Sequence, residues 1–359
     1  MLKDSVRTDA YRNFIYDNKN LFKDKIVLDV GCGTGILSLF AAKAGAVKVI
    51  AVDESDIIQK ARANVFENGL EDTIQCLHGT IETLTLPVQK VDIIISEWMG
   101  YALLFEAMLP SVLYARDRYL KTDGLMVPSH TTLRVGQYVD PDYITDHILF
   151  WQDVYGFKMS AMLEGVYDEA IIMQVPKSSV SGPGQTFWMA DLHTVTVEDL
   201  QFRANPFSLV IKDPIDRIDG FVVWFDAFFA TDRHTPLHHG VEAKNWVAQG
   251  RVAFSTGPDA TRTHWQQAVL LIDPKHDPSP RTETRAASIH PDSDDTNSEP
   301  AVGNRPETIQ QTMQTNVGNS IHGDISFTPT EEDKRALNIR IRWSLDQDQP
   351  QHEQKWALV

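Results

Sequence analysis

The sequence predicts an α/β protein in two parts, a doubly wound parallel sheet followed by a mainly β domain, on three observations. From residue 23 to about 128, strand-like apolar runs alternate with helical stretches. After Pro128 the texture changes to many short β-like runs. The length agrees, since 359 residues with 42% hydrophobic and 23% charged content suit two ordinary globular cores.

Each element follows from its own residues. Ile26–Val30 is a short apolar run ending in a glycine loop, and 36–44 has helical composition. Residues 47–52 read as the next strand, 57–68 as a helix, 73–77 as a strand and 91–96 as a very apolar strand entering a loop at Glu97. In the second half, 131–139, 194–197, 207–211, 221–230 and 269–272 read as β-like runs. Between them, 144–163 carries Trp151, Tyr155, Phe157, Met159 and Met162 at mixed spacing, which predicts a short helical insertion. Its apolar face must bury against its own core or a second subunit. Residues 277–307 are rich in Pro, Ser, Thr, Asp and Glu, so they offer too little apolar surface to offset their ordering entropy and read as a disordered insertion. Residues 232–250, with His234, His238 and His239, read as loop; no carboxylate or Cys stands in ligand register, and no metal site is expected.

Composition narrows the partners. No run of about 18 apolar residues and no leader pattern is present, so a soluble, intracellular protein of cytoplasm or nucleus, without a membrane role, is expected. Cys32 and Cys76 give neither a disulfide framework nor a metal spacing and read as reduced thiols. A net charge of -16 disfavours nucleic acid and favours basic partners.

The segment Leu28-Asp29-Val30-Gly31-Cys32-Gly33-Thr34-Gly35 joins a strand to a helix, where glycines let a backbone approach a ligand closely. Asp53 closes the next strand, where a carboxylate can grip two ribose hydroxyls. Together these make a nucleoside site. A dinucleotide dehydrogenase shares the outline, but Asp29 would repel a pyrophosphate and could instead accept hydrogen bonds from the ammonium of a methionine moiety. The sulfonium cofactor S-adenosylmethionine is therefore favoured over a nicotinamide. The bland alternative for Asp29 is a loop-capping carboxylate.

Ser96-Glu97-Trp98-Met99-Gly100-Tyr101 follows the apolar strand, and Glu106 stands nearby in Phe105-Glu106-Ala107-Met108-Leu109. Two carboxylates beside the carboxyl ends of the strands match a guanidinium, whose fork of donors suits bidentate pairing. Here the sequence resembles the type I protein arginine methyltransferases. The carrying residues are MLKDSVRT at 1–8, VLDVGCGTG at 27–35, AVDES at 51–55, GTIE at 79–82, SEWMGYALLFEAML at 96–109 and THW at 263–265. FSTGP just before THW looks most like the branch that methylates a small-subunit ribosomal protein and carries an N-terminal zinc finger, a finger absent here.

The resemblance implies a Rossmann-like methyltransferase domain over 1–128 and a β-barrel substrate domain over 129–359, with a dimerisation arm at about 144–175 and a homodimer. It assigns Glu97 and Glu106 to the substrate guanidinium and Arg7 to the cofactor carboxylate. Gly31 and Gly33 would line the methionine part, Asp53 with Glu54 the ribose, and Ile81 with Glu82 the adenine. His264 would be the active-site histidine, held by Asp4. Met1 and Met108 would shape the acceptor pocket, with Trp265 beside it. The expected reaction gives mono- and asymmetric dimethylarginine on basic Arg/Gly-rich proteins, a ribosomal protein among them, and leaves S-adenosylhomocysteine. The aromatic helix that precedes MLKD in the family and folds over the cofactor is missing, so weak cofactor binding is expected. The alternatives are a methyltransferase with another acceptor and a catalytically weak binding subunit.

Overall fold

The computed structural model describes residues 2–213, 215, 217–276, 318–345 and 351–359. Met1 and the insertion expected over 277–307 lie outside the described residues.

The first part runs α1 (Ser5–Asp17), α2 (Lys19–Phe22), β1 (Ile26–Val30), α3 (Ile36–Lys43), β2 (Lys48–Asp53), α4 (Ile58–Glu67), β3 (Ile74–His78), β4 (Val91–Ile95), α5 (Leu109–Tyr119) and β5 (Leu120–Val127). Its five strands form one parallel sheet in the order β3-β2-β1-β4-β5. Strand order reverses between β1 and β4, which are hydrogen-bonded neighbours with Asp29 opposite Ile95. Their carboxyl ends therefore open onto one crevice, where open α/β sheets bind ligands. The core of this sheet is buried on both faces, which is why Ile93, Ile94 and Ile95 form an unbroken apolar run. Helix α1, for which the sequence reading gave no element, buries Arg7, Ala10, Tyr11, Phe14 and Ile15, a stripe at helical spacing.

A cis Val127–Pro128 bond leads into the second part. It contains β6 (His130–Tyr138), α6 (Pro141–His147), β7 (Ile171–Met173), β8 (Val180–Asp191), β9 (Phe202–Val210), β10 (Gly220–Phe229), α7 (Ala243–Val247), β11 (Val252–Ser255), β12 (Gln267–Leu271), β13 (Ser320–Pro329), β14 (Leu337–Leu345) and β15 (His352–Leu358). Two antiparallel sheets result, β7-β12-β10-β6-β8 with β11 on β10, and β15-β14-β13-β9. Phe221 of the first sheet meets Phe207 and Trp343 of the second, edge to face at 5.9 and 5.5 Å, so the two share one barrel core.

Residues 194–197 are a correction: they form no strand. Asp191 ends β8 in a turn, its carbonyl accepting from the N–H groups of Thr194 and Val195 and its carboxylate from that of His193. Arg116 of α5 then donates to the carbonyls of Leu192 and Val195, so the segment serves as a seam between the two parts. The 144–163 stretch is α6 followed by two short 3-10 turns. Ile144 and Ile148 pack on Tyr138 and Trp224, whereas Leu149, Phe150, Tyr155, Phe157, Met159 and Met162 stand exposed. The loop with His234, His238 and His239 ends in α7, which docks on the barrel through the Ala243 N–H to the buried Asp226 and through Glu242 to the buried Arg134 at 3.3 Å.

Candidate active site

The crevice is built by four segments. The first is the glycine loop after β1. Gly31, Gly33 and Gly35 all have positive φ (70°, 55° and 85°), a conformation that favours residues without Cβ. A Cβ on Gly31 would strike the thioether end of Met108, while one on Gly33 would meet nothing within 4 Å, leaving open space above that backbone. The N–H of Gly33 donates to Asp53 Oδ2 at 2.8 Å, and Asp53 Oδ1 accepts from the Ser55 N–H and hydroxyl at 2.9 and 2.6 Å. Asp53 thus sits at the loop on the end of β2, held in place, with lone pairs to spare for further donors. Glu54, the next residue, and Glu82 are exposed, and Ile81 is buried.

Asp29 is not a surface carboxylate at the loop but a fully buried one beneath it. Its Oδ2 accepts from Ser38 Oγ at 2.6 Å, and its Oδ1 has no hydrogen-bond partner among the described residues. Burial pushes its carboxyl up to about 6, against the pull of Ser38 and the Arg7 charge.

The second segment, after β4, carries Glu97. It is buried too, and Arg7 Nε donates to its Oε2 at 2.8 Å while Oε1 is left without a partner among the described residues. Burial raises its pKa, opposed first by the Arg7 charge and hydrogen bond. Arg7, from α1, therefore pairs with Glu97, and its charge also acts on Asp29. The third segment is the α1 N-terminus with the 263–265 loop of the barrel. Asp4 caps α1 by accepting from the Arg7 N–H and also accepts from His264 Nδ1 at 2.7 Å and His264 N at 2.8 Å. Burial alone would raise the Asp4 pKa, but the His264 and Arg7 hydrogen bonds outweigh it and hold it below the ordinary value. With Nδ1–H committed to Asp4, His264 presents Nε2 as its free acceptor.

The fourth segment is the 101–108 loop. Glu106 is exposed there, whereas Glu97 is buried. The Glu106 backbone is left-handed, φ 73°, and its N–H donates to the Arg335 carbonyl of the β13–β14 turn. Trp265 is not a pocket surface, a correction: its ring is 3% exposed, stacked on Phe254 at 5.6 Å, with Nε1 donating to the Met99 carbonyl at 2.7 Å. An indole with its N–H satisfied packs in the core. Met108, half-buried, reaches from the start of α5 to Gly31 and joins the two loops. Sequence reasoning missed Tyr11, Ser38 and Ser96. Only Tyr11 had a signal, its place on the apolar stripe of α1.

The comparisons with known proteins agree with this geometry. A model of a methyltransferase domain matches residues 27–124, and one of the arginine methyltransferase oligomerization subdomain matches 130–279. The chain is 43% identical over 346 residues to the ribosomal protein arginine N-methyltransferase rmt3 of Schizosaccharomyces pombe, a match that takes in 96% of this chain and 55% of that protein, so it spans about half the length of that relative. It is 40% identical over 346 residues to protein arginine N-methyltransferase 1 of Saccharomyces cerevisiae, covering 96% of this chain and 84% of the relative. A solved structure, the Trypanosoma brucei PRMT1 enzyme–prozyme heterotetrameric complex with AdoHcy, aligns with a TM-score of 0.80 and 32% identity over 100% of this chain and 96% of that one. The chain belongs to the protein arginine N-methyltransferase family.

Proposed function

We propose that this chain transfers methyl groups from S-adenosylmethionine to the guanidino nitrogens of arginine in protein substrates, as a type I enzyme giving mono- and asymmetric dimethylarginine. One observation carries the reading: two buried carboxylates, Asp29 and Glu97, each keep an oxygen without a partner among the described residues, and one guanidinium, Arg7, pairs with Glu97 and lends its charge to Asp29. Two buried anions against one cation leave the crevice short of positive charge, and isolated buried charge is costly. The two ligands of this reaction both bring cationic groups, the sulfonium and ammonium of the donor and the guanidinium of the acceptor.

The residues fit the donor. The glycine loop with its open backbone at Gly33, Asp53 on the neighbouring strand end and Arg7 would hold its sugar and amino-acid ends. When bound, S-adenosylmethionine supplies a methyl group on a sulfonium, an electrophile ready for in-line displacement. The chain's own task is then orientation. Glu97 Oε1 would accept from the substrate guanidinium and draw positive charge away from the attacking nitrogen. Glu106, exposed on the 101–108 loop, would accept from the same guanidinium. The methylated nitrogen has a proton to lose, and His264 Nε2, with Asp4 steadying the imidazolium that forms, would receive it.

We read the partners as basic Arg/Gly-rich proteins, in keeping with the net charge of -16. A second copy of the chain would cover the exposed apolar residues of the arm, and the Cys32 and Cys76 thiols suit the reducing cytoplasm. The test is transfer of a radiolabelled methyl group to an Arg/Gly-rich peptide, with mass spectrometry of the product. Glu97→Gln is expected to abolish transfer while AdoHcy still binds; symmetric dimethylarginine, or full activity in the variant, would sink the reading.

A further inference from the structure

We infer that Tyr11 and Trp265 are positioning residues for Glu97, pinning the backbone on either side of it from the two parts of the molecule. This rests on the arginine-methylation reading above and goes beyond the residues that reading uses. Tyr11 Oη donates to the Ser96 carbonyl at 2.9 Å, and Trp265 Nε1 donates to the Met99 carbonyl at 2.7 Å. Only Glu97 and Trp98 lie between these two anchored peptides. Ser96 Oγ adds a third tie, to the Val30 carbonyl at 2.7 Å, which joins the same segment to the start of the glycine loop.

The two donors come from different elements, Tyr11 from α1 and Trp265 from the barrel loop directly after His264. Both are buried, so no bulk water competes for the carbonyls. Their rings belong to one continuous aromatic stack. Tyr11 meets Phe229 edge-on at 5.0 Å, Phe229 meets Phe254 at 6.3 Å, and Phe254 lies parallel to Trp265 at 5.6 Å and 7°, with Phe225 edge-on to the indole at 5.2 Å. The spacing of the donors is therefore set by packed side chains of α1, β10 and β11, and the loop conforms to it.

The result is a backbone orientation at residue 97 that offers Oε2 to Arg7 and leaves Oε1 over. A segment that begins and ends on anchored carbonyls has little freedom to swing that carboxylate by the ångström or so that matters for in-line attack. Loss of either bond also strands a buried carbonyl, which drives the segment to rearrange. Neither ring needs to touch a ligand for this role, which accounts for a fully packed tryptophan next to the active-site histidine.

Tyr11→Phe and Trp265→Phe each remove one donor while keeping an aromatic ring in the stack. Turnover of an Arg/Gly-rich peptide, AdoHcy affinity by calorimetry and thermal unfolding are measured for both variants and for the pair. The expected result is a fall in kcat of about ten- to hundredfold in each. AdoHcy affinity should be kept, and the double variant should lose less than the product of the single losses, because both bonds act on one segment. Tyr11→Phe, which deletes a single oxygen, decides the matter if the tryptophan variant folds poorly. Unchanged kcat per folded molecule, with only a lower unfolding temperature, would show the bonds to be purely structural and overturn the inference. A wild-type chain that methylates no such peptide overturns the parent reading and this one with it, and is told apart by failing before any substitution is made.

Discussion

At the level of single residues, the chemistry turns on how much charge has been taken out of water. Arg7 opposes the burial of Glu97 and of Asp29 at once, so its removal is felt at both. Arg7→Gln should raise the Glu97 pKa further, because burial is then less opposed, and should move the acid limb of the kcat–pH profile upward, as measured with saturating methyl donor. An unmoved acid limb would mean that Glu97 ionisation does not limit turnover. Asp29 makes a separate statement about stability. Its folded-state carboxyl titrates at about 6 against 3.8 unperturbed, so the folded chain holds a proton through that window which the unfolded chain has released. The stability it contributes is present below the lower value and is lost as pH rises through the upper one. Asp29→Asn is expected to unfold in urea at a relatively higher midpoint than wild type at pH 7 than at pH 4, read from midpoints at both; the reverse order would contradict the buried acid.

At the level of elements, much was legible in the sequence, for a physical reason. Strands β1, β2 and β4 are largely buried and so announce themselves as apolar runs, while β3 at the sheet edge is half exposed; the observed ends of all four lie within a residue or so of those expected. The 194–197 run misled because Val195 is buried in a turn, where burial comes without strand pairing and Asp191 gathers the backbone donors. Helix α1 escaped because its stripe includes Arg7, a charge whose burial is intelligible only with Glu97 opposite, 90 residues away in sequence. The site shows the same division. The glycine loop and Asp53 were local patterns; the backbone of Glu106 is held by Arg335 and the Trp265 indole N–H by Met99, and no window of sequence contains either pair. The glycine loop yields its own test. Gly33→Ala should cost the ligand-free chain only roughly 1–2 kcal/mol for its left-handed φ of 55°, since no neighbour is struck. AdoHcy affinity should fall much further, because the added methyl occupies the open space above the loop. Calorimetry that finds affinity unchanged would place the ligand elsewhere.

At the level of the whole molecule, the arm is the feature that asks for company. Tyr155 is 97% exposed and Phe157 72%, in a cluster with Met159 and Met162 that the described residues leave uncovered. Exposed apolar surface of this kind marks an interface. Tyr155→Asp combined with Phe157→Asp is expected to convert a dimer to a monomer by light scattering at micromolar concentration, with the wild type remaining dimeric. A wild-type monomer would leave the arm without its assigned role.

The contact between the Glu106 N–H and the Arg335 carbonyl, with that between His264 and Asp4, also sets a timetable. A ribosome that has delivered the parallel sheet has made the glycine loop, Asp53 and Glu97, and such N-terminal units fold as they emerge. The α1 end still waits for the 263–265 loop and the Glu106 backbone for the β13–β14 turn, both more than a hundred residues later in the chain. A nascent chain can thus assemble the glycine loop, Asp53 and Glu97 well before the barrel contacts that hold Asp4 and the Glu106 backbone exist.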